Sequence, residues 1–206
     1  MIKIKRFKIT LREREILRRA KKKKMDLALT GFNTEGEVQT FLQSLPSLLQ
    51  PAVLYDSFSP DTIQRLSESS ARSFSDPSFV NALSPVPGLA FSVGIATLGN
   101  RISEFSQSLG GSEQPLRAEL VALAKEVALE EATQFALSLI EGEAKEEKCE
   151  LSPIQNITDP SLLQTLFVEL ETEKIGVAWK ENQPMPLATT AFSVSWLAKR
   201  GKTAKR

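Results

Sequence analysis

Apolar and polar positions alternate at the start of the chain. Ile2 and Ile4 are interleaved with Lys3 and Lys5 and followed by Phe7, a period of two that predicts a short edge strand over Met1–Phe7. Leu11–Lys24 then takes a helical pattern, with Glu13, Glu15 and a basic run on its wet face. Met25–Asn33 reads as a connection. Thr34 followed by Glu37 forms a capping box, because Glu37 can reach back to the Thr34 backbone. The helix it opens places Val38, Phe41, Leu42 and Leu45 on one face and stops at Pro46 and Pro51. Ala52–Phe58 has strand character, and Ser59-Pro60 opens a further helix running to about Phe74. Ser75–Pro87, rich in Ser, Asp, Pro and Asn, reads as a loop. Leu89–Leu98 is the strongest candidate for a central strand. Gly99-Asn100 ends it, Arg101–Leu109 begins a helix, and Gly110-Gly111 interrupts the chain.

The clearest periodicity runs from Leu116 to Ile140. Leu116, Leu120, Leu123, Val127, Glu131, Phe135 and Leu139 recur at intervals of three or four and define one face of a long helix, with alanines on its flanks. Glu131 falls on that stripe, and a carboxylate near a core must be paired or reach water. Gly142–Glu150 reads as acidic and frayed, and Leu151–Ile157 as irregular. Thr158 or Asp159 caps a helix with Pro160 in its first turn and Leu162, Leu163, Leu166, Phe167 and Leu170 on its core face. Ile175–Trp179 and Ala188–Trp196 are two late strands joined by a loop over residues 181–186. Strands and helices in this order, without a regular βαβ repeat, predict an α+β fold.

Composition narrows the chemistry. The chain has 206 residues and is 41% hydrophobic, enough for a core without metals or disulfides. It contains no histidine and one cysteine, Cys149. Imidazole-based acid–base catalysis, Ser-His-Asp or Cys-His nucleophiles and a Cys/His zinc site are therefore excluded. No metal-ligating or catalytic residue is assigned. A lone cysteine and no apolar leader fit a cytoplasmic protein, and no apolar run reaches the length of a membrane span. There is no phosphate-binding Gly-rich loop.

Formal net charge is only +1, but it is unevenly spread. Residues 1–24 carry 12 Lys/Arg against 2 Glu, and Lys199–Arg206 carry 5 Lys/Arg and no acid. The stretch between is strongly acidic. Such basic ends can attract polyanions. No aromatic residues interleave with them, which argues against a nucleic acid partner.

Several segments, in order, resemble the activation domain of vitamin B12-dependent methionine synthase, in a stand-alone form. They are Glu13–Arg19, Ala52-Val53-Leu54-Tyr55, Val93-Gly94-Ile95-Ala96-Thr97-Leu98-Gly99, the long alanine-rich helix, Ser152-Pro153, the Leu162–Leu170 helix, Glu173–Val177 and Glu181–Met185. The family's Arg-x-Ser-Pro-Gly-Tyr signature stands here as Glu150-Leu151-Ser152-Pro153-Ile154-Gln155, with only Ser-Pro kept. The resemblance implies a single curved α+β domain whose mainly antiparallel sheet packs against several helices. It divides the chain into a basic strand and helix (1–24), the activation-like domain (25–198) and a basic tail (199–206). It implies S-adenosylmethionine (AdoMet) as ligand, with Thr97, Ser152, Pro153, Gln155 and Glu181 as its contacts. It also implies a cobalamin-binding methyltransferase or corrinoid protein as partner, cobalamin being met only through that partner. The chain would then be an accessory component of cobalamin-dependent methionine synthase. The alternative is a non-catalytic homologue that docks to such a partner without binding AdoMet.

Overall fold

The computed structural model describes residues 1–25, 32, 34–63, 73, 76–84, 86–110 and 115–199. Most of the connection expected after Met25, the helix expected through Phe74 beyond its first residues 60–63, Gly111 of the Gly-Gly break and nearly all of the basic tail lie outside these residues.

In chain order the strands are β1 (Ile2–Lys5), β2 (Ala52–Phe58), β3 (Ala90–Thr97), β4 (Cys149–Leu151), β5 (Gln155–Ile157), β6 (Ala178–Lys180), β7 (Gln183–Met185) and β8 (Thr189–Ala198). The helices are α1 (Glu13–Lys22), α2 (Glu35–Ser44), α3 (Pro77–Leu83), α4 (Arg101–Gly110), α5 (Pro115–Glu146) and α6 (Pro160–Glu169). The main sheet has the order β1-β2-β3-β8-β4, with β5 also on β8, and every pairing is antiparallel. β6 and β7 form a separate hairpin. The result is the expected α+β class.

Strand alternation sends side chains to two cores. Val53, Tyr55, Ala96, Phe192, Val194 and Trp196 face α1, α2, α4 and α5. Leu54, Phe91, Val93, Ile95, Ile157 and Ala191 face α3, α6 and the turn after it, through Phe79, Leu83, Leu166, Phe167 and Leu170. A sheet covered on both faces needs apolar residues in both registers, which is why Ala52–Phe58 and Ala90–Thr97 read as nearly continuous apolar runs. Gly94 lies opposite Phe192 on β8. A Cβ there would sit 2.3 Å from the ring Cζ, so only glycine lets the Phe192 ring cross β3.

α5 spans 32 residues, and its buried face combines Leu120, Leu123 and Val127 of the predicted stripe, all buried, with a second row of small residues. Ala124, Ala128, Ala132, Ala136, Ile140 and Ala144 recur at every fourth position and are buried to 2% exposure or less. Their small side chains let the helix approach β2, β3, β4 and β8 closely. The alanines expected on the flank thus share the contact with the first half of the stripe, while Phe135 and Leu139 of its second half lie beside them, half-buried. Glu131 is half-buried and paired with Arg12 at 2.5 Å.

Other expectations are corrected. The Gly142–Glu150 stretch is not frayed: α5 continues through Glu146 because Ala144 stays buried, and β4 begins at Cys149. Leu151–Ile157 is not irregular, since it holds the end of β4 and all of β5. The loop over Ser75–Pro87 contains α3. Asp76 caps α3 by accepting from Ser78 N at 2.8 Å, Pro77 starts it, and Phe79 and Leu83 bury one face. The late strands do not pair with each other. Residues Thr172–Ile175 form a 3-10 turn, and Ala178–Lys180 folds back on Gln183–Met185 through Glu181-Asn182. Both turn residues have positive φ, 51° and 60°, as a tight two-residue hairpin requires.

Candidate functional site

The outer edge of β8 carries the stretch with the Ser-Pro motif. β4 pairs with β8 through Leu151 opposite Trp196, and β5 resumes the pairing at Gln155 opposite Ser193. Residues 152–154 form the break between them. Ser152 bridges that break. Its N–H donates to Ser195 O at 2.8 Å, its hydroxyl accepts from Ser195 N at 2.9 Å, and the same hydroxyl donates to Pro153 O at 3.0 Å. The side chain thus replaces a backbone acceptor that the break removes from the ladder. Pro153 and Ile154 are exposed at the rim, Ile154 to 39%.

Gln155 is half-buried, yet its Oε1 is shut off from solvent and has no hydrogen-bond partner. Ser193, directly opposite, is 1% exposed, and its hydroxyl also has no partner. Cross-strand partners point to the same side of a sheet, so both groups share the face occupied by Ile157, Ala191 and Val93. A buried polar group without a partner costs about 1–3 kcal/mol, and native folds hold few of them. The remaining such atom among the described residues, Ser103 Oγ, lies on α4. Ser195, next along the face, bonds Ser84 Oγ at 2.9 Å.

Thr97 lies elsewhere. It is opposite Thr189 on β8, six residues from Ser195 and therefore about 20 Å along the strand from Ser152. Its hydroxyl donates to Ala188 O at 3.1 Å and accepts from Gly99 N at 3.2 Å and Thr189 Oγ1 at 2.9 Å. A hydroxyl has one proton and two lone pairs, so this one is fully used in closing the end of β3. Gly99, at φ 77°, makes the turn that follows. Glu181 is exposed at the β6–β7 turn. Beside that hairpin is a groove of about 700 Å³ lined by Phe167, Val168, Glu171, Thr172, Trp179 and Lys180 among others. Trp179 meets Phe167 edge-on at 5.5 Å. The structure therefore gathers Ser152, Pro153 and Gln155 on one edge and keeps Thr97 and Glu181 on separate elements.

Ser193 is not among the predicted contact residues. A signal for it exists in Ala191-Phe192-Ser193-Val194-Ser195-Trp196. Alternation with serine on one side is normal for a strand with a wet face, but β8 has neighbours on both sides and helices over both faces. Its serines are consequently buried, and each needs a partner.

Among the described residues, no group of three or more His, Cys, Asp or Glu side chains is placed to hold a metal ion, and no helix is long and apolar enough to cross a membrane.

The antiparallel sheet, with the long helix and α1, α2 and α4 on one face and α3 and α6 on the other, defines an α+β domain of the reactivation-domain type in fold. In particular, the chain is similar to the reactivation domain of MetH, solved bound to AdoHcy. The TM-score is 0.55 at 14% identity, over 98% of this chain and 79% of that one. No protein-family model and no curated protein sequence matches the chain.

Proposed function

We propose that the chain binds AdoMet or its demethylated product and acts as a reactivation-type component of cobalamin-dependent methyl transfer. The observation that carries this reading is the likeness, along nearly the whole chain, to a domain solved with AdoHcy. The ordered segments of methionine synthase resemblance support it independently. Pro153 and Gln155 are the contacts we assign at the sheet edge, with Glu181 adding a carboxylate from the hairpin. Thr97 acts through the backbone: its hydroxyl holds a strand end in place and has no capacity left for a ligand, whereas Ser152 Oγ, with one bond donated and one accepted, keeps a single lone pair.

The residues at the edge fit such a ligand in kind. AdoMet and AdoHcy carry amino and hydroxyl donors, and Gln155 Oε1 is an acceptor without a donor. Bound AdoMet would supply the methyl group; the chain would supply position and the exclusion of water. With no histidine in the chain, an imidazole ligand to cobalt would have to come from a partner carrying the cobalamin.

Isothermal titration with AdoMet and AdoHcy tests this reading. Saturable heat at micromolar to millimolar ligand is the expected result. A flat trace with both at millimolar concentration overturns it, and capture of a cobalamin-carrying protein without ligand would then leave a docking role alone.

A further inference from the structure

We propose that Ser193 and Gln155 form a two-residue polar clamp that fixes a hydrogen-bond donor of the ligand on the second face of the sheet. The inference rests on the reading that the chain takes an AdoHcy-type nucleoside; it adds which residues grip the ligand and what chemistry they grip. The assignment comes from the register, which sets Gln155 directly opposite Ser193, and from the shared lack of a partner for Gln155 Oε1 and Ser193 Oγ.

The neighbouring serine hydroxyls that the structure describes are engaged. Ser152 bonds Ser195 and Pro153, and Ser195 bonds Ser84. On the opposite face, Ser92 bonds Ser57 and the Trp196 indole. Val93 across β3 and Ala191 along β8 offer no side-chain polar group, and the hydroxyl of Ser195, the other neighbour along β8, is bonded to Ser84. Two adjacent polar ends therefore remain where the surrounding network is otherwise closed. Gln155 contributes an acceptor and Ser193 one donor with two lone pairs. Together they suit a ligand hydroxyl, or an amine with one proton to give to each oxygen. Carboxylate-only recognition is excluded, because Gln155 Oε1 would face it with a second acceptor. Both oxygens are closed to solvent, so a ligand reaches them from the rim only as the half-exposed Gln155 side chain, flanked by exposed Ile154 and Asn156, turns aside.

The test uses the full chain and AdoHcy as probe, in parallel thermal-shift and titration measurements on wild type, Ser193→Ala and Gln155→Leu. Removing an unpartnered hydroxyl leaves ligand-free stability unchanged or raised. The expected outcome is thus a Ser193→Ala melting temperature at or above wild type, with AdoHcy bound at least tenfold more weakly, about 1.4 kcal/mol. Gln155→Leu, at the half-exposed edge, is expected to weaken binding similarly. A double variant no weaker than the tighter-losing single would show that both grip one group. Wild-type affinity in both variants overturns the clamp while leaving the binding reading intact. A Ser193→Ala protein that melts well below wild type overturns it too, since the hydroxyl would then have a structural partner. No binding by wild type removes the underlying reading and the clamp with it.

Discussion

Glu15 shows how much a single carboxylate can be claimed by its neighbours. Arg18 grips it with two bonds of 2.7 Å and Arg19 adds a third at 2.8 Å. These hydrogen bonds, Arg18 first and Arg19 next, pull its pKa from 4.5 down to about 2. A carboxylate depressed in the folded state stabilises fully above its unfolded value and loses that contribution as pH falls through the folded one. Glu15 therefore contributes above about pH 4.5 and stops contributing by about pH 2. Acid titration of stability, followed by circular dichroism, is expected to be shallower across that window in Glu15→Gln. Tyr55 moves the other way. Burial first, and then its hydrogen bond to Glu143 Oε1 at 2.7 Å, push its phenol well above the usual range. At Gly94 the constraint is steric. Gly94→Ala drives a methyl group into the Phe192 ring and is expected to cost roughly 1–3 kcal/mol in chemical denaturation. Pairing it with Phe192→Leu should recover part of that loss. At this scale the sequence was readable for position and mute on saturation. Thr97 and Ser152 were visible as motif members, but nothing in a string of letters tells that three hydrogen bonds already occupy the Thr97 hydroxyl.

Helix α1 is joined to α5 by a clasp of opposite charge. Arg19 makes a bidentate contact with Glu130 at 2.8 and 2.7 Å, Arg12 reaches Glu131, and Lys23 lies 3.8 Å from Glu126. Each bridge has at least one partner about half-exposed or more, so the pairing is worth little per bridge. A double-mutant cycle on Arg19→Ala and Glu130→Ala should return a coupling of about 0.3–1 kcal/mol that shrinks with added salt. The cap of α6 is a cleaner lever. Asp159 accepts from Leu162 N at 2.9 Å and from Ser161 Oγ at 2.5 Å. Asp159→Ala is expected to lower stability by about 1 kcal/mol, read as a shift in denaturation midpoint. Local chemistry of this kind was legible: the Thr34 cap, which accepts from Glu37 N at 3.3 Å, Asp159-Pro160 and the central strand all fall where their residue types demand. Legibility failed where partners at long range decide. Cys149–Leu151 and Gln155–Ile157 carry no strand pattern of their own and exist because β8 offers an edge. The alanine row of α5 looked like filler because a helix face is defined by what it touches, and leucines draw the eye first.

Across the whole molecule, the uneven charge is partly an internal affair. Basic residues of the first 24 meet acidic residues of α5, so an acidic body beside a basic end is in part a docked pair. The same segment supplies β1, paired along its length with β2, and Ile16 and Ala20, both fully buried. Removing residues 1–24 is therefore expected to abolish cooperative unfolding and leave an aggregating chain, measured by calorimetry and light scattering. The overall class was legible from the order of elements; the topology was not, because the pairing of β3 with β8 spans nearly a hundred residues that no local pattern connects.

That pairing has a consequence for how the protein is made. β8 is synthesised after all the other strands, yet it lies between β3 and β4, and every later contact of the sheet passes through it. While the ribosome is still adding residues 189–198, the apolar row Phe91-Ser92-Val93-Gly94-Ile95 has one flank open to any extended peptide nearby. The nascent chain must wait for β8 before its middle can close, so β3 is most vulnerable in the interval between its own synthesis and that of β8.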